Sequence, residues 1–174
     1  MRPDVREDFD WGRGFIPHMR EIVADNLIGE APPAEDMQRN TDLIVLKLDA
    51  VRIACRVRRA KYAISYGDEF TIRQRRSTGV SELSKLLAGW GDYMIYGFAP
   101  PGDEGPRMAR WLLADLSVFR VWFSRALLTL PEGQMPGTGK ANGDGSSSFR
   151  AFALSAMPEN FVRACSWDAV EAAA

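Results

Sequence analysis

The chain has 174 residues, 46% of them hydrophobic and 26% charged, with 15 glycines and 10 prolines. That composition belongs to one ordinary globular domain with a sizeable core, and it excludes collagen-like, disulfide-framework and wholly disordered chains. The 22 lysines and arginines nearly cancel the 23 aspartates and glutamates, but the charges are segregated: residues 1–50 carry −5, residues 51–76 carry +6 and residues 77–174 carry −2.

In chain order, residues 1–14 read as an acidic arm (Asp4, Glu7, Asp8, Asp10) with Trp11 and Phe15 as anchors. Pro17 opens a helical pattern in which Met19, Ile22, Val23 and Leu27 recur at three- and four-residue spacing before Gly29. Pro32 and Pro33 mark a loop. Residues 42–48 form a nearly continuous apolar run, as in a central strand buried on both faces. Asp49-Ala50 then suggests a hairpin into residues 51–59, which alternate: Ile53, Cys55 and Val57 on one face, Arg52, Ala54, Arg56 and Arg58 on the other. Residues 69–75 alternate again, with Phe70 and Ile72 inward and Thr71, Arg73 and Arg75 outward.

A helix capped near Ser77-Thr78, with Glu82 in its first turn, precedes a buried strand over residues 93–98. The longest predicted element is an amphipathic helix over residues 106–130, with Trp111, Phe119, Trp122 and Phe123 on its apolar stripe and Asp115 among them. That stripe reads as core, with a protein-partner or homodimer face as the alternative, and Asp115 needs a basic partner. Residues 131–148 hold five glycines and read as a flexible loop, residues 149–154 as a closing strand, and residues 161–170 as a strand or short helix.

Cys55 and Cys165 are too few to staple such a domain and read as reduced structural thiols. No apolar run approaches the roughly 18 residues a bilayer crossing needs, and the start of the chain lacks an apolar signal region. A cytoplasmic location without a membrane partner is the expectation.

The order helix–strand–strand–strand–helix–strand over residues 17–98, with Glu21 on the first helix and Asp42 opening the first apolar strand, resembles the core of the PD-(D/E)XK (restriction-endonuclease-like) nuclease superfamily. The resemblance implies an α/β fold (an α+β mixed sheet) with an αβββαβ core at residues 15–99, to which a long helix and a short strand are appended in residues 100–174. It also implies a phosphodiesterase or endonuclease in which Asp42 and Glu21 bind magnesium. Carboxylates hold the hard cation, and the cation stabilises the phosphorane and acidifies an attacking water. The family's acid-x-lysine is missing, because Arg56-Val57-Arg58 stands in its place. Arg58 could supply the lysine's charge but not its basicity, and Glu69 is the candidate for a displaced acid. The chain also resembles small phage or mobile-element proteins.

A different reading comes from the arginines. Arg52, Arg56 and Arg58 on one strand and Arg73 and Arg75 on another, with Arg59, Lys61 and Arg76 at strand ends, would bind phosphates if the two strands were neighbours. The alternatives are pairing with Asp4, Glu7, Asp8 or Asp10 as a self-masking tail, or a solvated face. The sequence therefore points to a nucleic-acid-binding protein, either a divergent magnesium-dependent nuclease or a silent relative that only binds. A protein-binding inhibitor or recruiter and a binder of a small phosphorylated ligand are the rivals. The lone His18 excludes multi-histidine metal sites, and Gly137-Thr138-Gly139-Lys140 departs from a P-loop at its leading glycine and at Ala141.

Overall fold

The computed structural model describes residues 3–30, 43–45, 51–76, 79–142 and 147–166. Helices α1 (Pro3–Arg13) and α2 (Ile16–Leu27) lead into a two-stranded antiparallel pair, β1 (Ile28–Glu30) with β2 (Leu43–Val45). Then follow β3 (Ile53–Arg58), the short α3 (Ala63–Tyr66), β4 (Glu69–Arg75), α4 (Glu82–Leu87), β5 (Tyr93–Phe98), β6 (Arg110–Asp115), α5 (Leu116–Thr129), β7 (Thr138–Ala141), β8 (Ser148–Ala153) and β9 (Val162–Cys165). Among the described residues no helix is long and apolar enough to cross a membrane.

A four-stranded mixed sheet in the order β3-β5-β6-β9 forms the centre, with β3 parallel to β5 and the other pairs antiparallel. Strand alternation gives this sheet two apolar faces. Ile53, Val57, Ile95 and Leu113 meet Phe15, Met19, Ile22 and Leu27 of the α2 segment. Ala54, Met94, Tyr96, Leu112 and Ala114 meet Phe70 and Ile72 of β4, Phe152 of β8, Leu83 and Leu86 of α4, and Phe119 and Phe123 of α5. At the centre of the second layer, Phe70 stacks edge-on against Tyr96, Phe119 and Phe161, with ring centroids 5.3, 5.7 and 5.1 Å away.

The mixed α and β class is as expected, but the arrangement of the core differs. The αβββαβ order exists along the chain, yet its three strands sit in three separate sheets: β2 pairs with β1, β3 with β5, and β4 with β8. The hairpin expected at Asp49-Ala50 is therefore not the pairing that β2 makes. β4 leaves the central sheet because β8 completes its ladder, and that register sets Phe70 opposite Phe152 in the core.

The helix expected over residues 106–130 is a strand followed by a shorter helix. Trp111 to Ala114 form a strand paired on both sides, and Asp115 is the cap of α5, its carboxylate accepting from Ser117 N–H at 2.9 Å and Val118 N–H at 3.3 Å. It needs no buried arginine, because it satisfies the first orphan donors of the helix. The aromatic stripe is divided accordingly: Phe119 and Phe123 lie in one core and Trp111 against the other. The start of α4 also shifts, from Ser77-Thr78 to Ser81, whose hydroxyl accepts from Ser84 N–H at 3.1 Å.

Two segments expected to be irregular are ordered. Of the acidic arm, residues 3–13 form α1, and within the predicted loop β7 pairs with β8. Gly137 makes that pairing possible. Its φ is +76°, and a Cβ there would lie 2.6 Å from both the Ala151 carbonyl oxygen and the Phe152 ring.

Candidate functional site

The sequence-predicted residues separate when placed on this fold. Asp42 lies outside the described residues. Glu21, on α2, pairs with Arg107 at 2.8 Å, and Glu69, on β4, pairs with Lys140 of β7 at 3.4 Å. Among the described residues no group of three or more His, Cys, Asp and Glu side chains is placed to share a cation. The magnesium ligand set that the resemblance implies is thus not assembled from Glu21 and Glu69, which hold different basic side chains.

The five-arginine face is also rearranged, because β3 and β4 belong to different sheets. Arg52, Arg75 and Arg76 are exposed and stand apart from what the rest form. Arg56, Arg58, Arg59 and Arg73 line one cleft of about 720 Å³, together with Lys61 and Arg13. Its floor is β3, whose edge position leaves the strand half-covered. Its walls come from α1 and α2 (Trp11, Ile16, Met19), from the turn after β3 (Lys61, Tyr62), and from β4 and β8 (Arg73, Ser148, Phe149). Six cationic side chains face it against two carboxylates, Asp8 and Glu82.

Each cation is held differently. Arg58 donates to Thr71 Oγ1 at 2.6 Å, and its guanidinium lies 4.6 Å from the Tyr62 ring, 4.7 Å from Tyr66 and 5.4 Å from Phe149. It ties β3 to β4 by that hydrogen bond, and to α3 and β8 through cation–π contact with Tyr66 and Phe149. Arg59 pairs with Asp8 at 3.1 Å and with Asp103 at 3.8 Å, and sits 4.0 Å from the Trp11 ring centre. The acidic segment therefore does meet the basic one, through Asp8. Arg56 binds Glu82 Oε2 through Nη1, and the same oxygen accepts from Arg73 N–H at 3.0 Å.

Arg73 is the least compensated. Burial and the adjacent Arg56 guanidinium push its pKa down, against the opposing field of Glu82. Among the described residues its side chain forms no ion pair with a carboxylate. Cys55 lies on the cleft wall and not in the core, and desolvation there pushes its thiol up, so it is held neutral and is a poor nucleophile. His18 is buried on α2, where its Nδ1 accepts from Met108 N–H at 2.9 Å.

Sequence reasoning missed Arg13 and Tyr62 as cleft residues and read Glu82 only as a first-turn acid. The run Arg58-Arg59-Ala60-Lys61-Tyr62, with an aromatic following three closely spaced basic groups, was the available signal for Tyr62. Comparisons with protein-family models, curated proteins and solved structures give no match, so function rests on the geometry of this cleft.

Proposed function

We propose that this protein binds nucleic acid through the cleft between α1, β3 and β4. The observation that carries this reading is the six-to-two excess of cationic over acidic side chains in one concave site with aromatic walls. Guanidinium groups offer forked donors to phosphate oxygens, and a concave site lined mainly by one sign of charge concentrates their field. The overall charge of −1 supplies no long-range attraction, so binding depends on local contact.

A volume of about 720 Å³ also suits a small phosphorylated ligand, which is the second reading. Cleavage is a separate proposal. It rests on the family resemblance and on Asp42. Cleavage that requires magnesium and disappears in Asp42→Ala is its test.

Titration of a fluorescent oligonucleotide at two salt concentrations tests the main reading. The binding constant is expected to fall steeply as salt rises, because phosphate contacts release counterions. Absent or salt-insensitive binding rejects it. Retained binding of free nucleotides in that case selects the second reading.

A further inference from the structure

Two features of the cleft suit it to an anionic, aromatic ligand. The first is a shortage of negative charge. Glu82 Oε2 is committed to Arg56 Nη1 and to the main-chain N–H of Arg73, while Nε of Arg56 is buried with no hydrogen-bond partner. The Arg73 guanidinium beside it has no ion-paired carboxylate among the described residues and is partly desolvated. A partly desolvated cation without an ion-paired carboxylate is costly, and a phosphate oxygen beside Arg73 and Arg56 relieves it.

The second feature is Tyr62, which lines the cleft and is 37% exposed although the Arg58 guanidinium already lies 4.6 Å from its ring centre. Lys61 Nζ also lies 5.3 Å from that ring centre, and an aromatic ring held by cations and still partly open to solvent is a platform for a flat, electron-rich partner.

Resting on the nucleic-acid reading above, we propose that the cleft takes single-stranded nucleic acid, with one phosphate seated between Arg56 and Arg73 and one base stacked on Tyr62. A duplex keeps its bases stacked inside and offers none to Tyr62. It is also far too broad for a cleft of about 720 Å³, whereas a flexible strand enters nucleotide by nucleotide. Charge continues past the cleft along β4, where exposed Arg75 and the adjoining Arg76 stand outside it. A chain of phosphates uses that continuation, and a single small ligand does not.

The test uses the full chain and three labelled probes of equal length: a single-stranded oligonucleotide, its duplex, and a single strand carrying abasic sites. Fluorescence anisotropy is expected to show the single strand bound about tenfold tighter than the duplex or more, with the abasic strand and Tyr62→Ala each losing about tenfold. Tyr62→Phe retains binding, since the ring remains. Arg73→Gln weakens intact and abasic strands alike, because it removes the phosphate contact and not the stacking.

Equal binding of duplex and single strand, or of abasic and intact strand, overturns the single-strand proposal and leaves nucleic-acid binding standing. No binding of any probe overturns both. If Tyr62→Ala does not fold, the abasic strand on the unaltered chain still decides.

Discussion

Thr71 Oγ1 of β4 and the hydroxyl of Tyr96 on β5 lie 2.9 Å apart in the buried interior, a hydrogen bond that crosses from one sheet to the other. Arg58 Nη1 donates to the same threonine oxygen at 2.6 Å, so one hydroxyl joins three strands. Tyr96→Phe removes one bond and is expected to cost about 1–2 kcal/mol. Thr71→Val also strands the Arg58 donor, so its expected cost is higher, about 2–3 kcal/mol. Chemical denaturation of both single variants and the double variant measures this. A double loss equal to the sum of the single losses would show that the shared oxygen does not couple them.

Binding separates the arginines by position and not by charge. Arg73→Gln is expected to weaken single-stranded nucleic acid about tenfold and to reduce the salt slope by about 0.7, the single-strand value for one lost phosphate contact. Arg52→Gln removes an identical charge on an exposed residue away from the cleft and is expected to leave both within error. Paired titrations over a range of salt concentrations check this, and equal effects of the two variants would refute a localised site.

The ion pair between Asp8 and Arg59 makes α1 part of the cleft wall. The Asp8 side chain is 74% exposed, so Asp8→Asn is expected to change stability by less than about 1 kcal/mol. Its effect on binding has the opposite sign to that of an arginine loss. Removing a negative charge that faces the cleft raises anion affinity, by about two- to threefold for an exposed charge at moderate salt. A thermal melt and an anisotropy titration of one variant give both numbers.

His18 gives the fold a pH dependence. Burial, and secondarily the nearby Arg107, lower its pKa from the usual 6.5, while Glu21 opposes them. The unfolded chain therefore takes up a proton at higher pH than the folded one, and protonation removes the acceptor used by Met108 N–H. This contribution is full above pH 6.5 and is lost as pH falls through the lowered folded value. His18→Asn keeps an acceptor and does not titrate. Its melting temperature is expected to fall less between about pH 7 and about pH 5.5 than that of the unaltered chain.

The elements readable from the sequence were those with a single periodicity. The spacing of Met19, Ile22 and Leu27 led to α2, and alternation in residues 53–58 and 69–75 gave β3 and β4. Trp111 to Ala114 is a four-residue apolar run that satisfies a helix face and a buried strand equally, and it was absorbed into the helix after it. Asp115, followed by Leu116-Ser117, was the boundary signal, because a carboxylate at that point caps a helix more cheaply than it is buried in one. Replacing it by alanine is expected to cost about 1 kcal/mol in a denaturant titration.

At the site, alternation told which face of its strand each arginine occupies but not which strands face each other. Arg56 and Arg73 line the same cleft although β3 and β4 lie in different sheets. That relationship is a long-range property of the topology, and no local pattern encodes it.

The pairing of β4 with β8 also fixes when the cleft can exist. β4 is made early, but the strand that completes its sheet starts about seventy residues later, at Ser148, and the same strand supplies Ser148 and Phe149 to the cleft wall. On the ribosome, the central strands β3, β5 and β6 can associate while β4 still lacks any described strand partner and Phe70 still lacks its later neighbours Phe152 and Phe161. A nascent chain halted after α5 would thus expose a half-built second sheet and a cleft without its Ser148–Phe149 wall. The cleft is completed late in synthesis, together with the final closure of the fold.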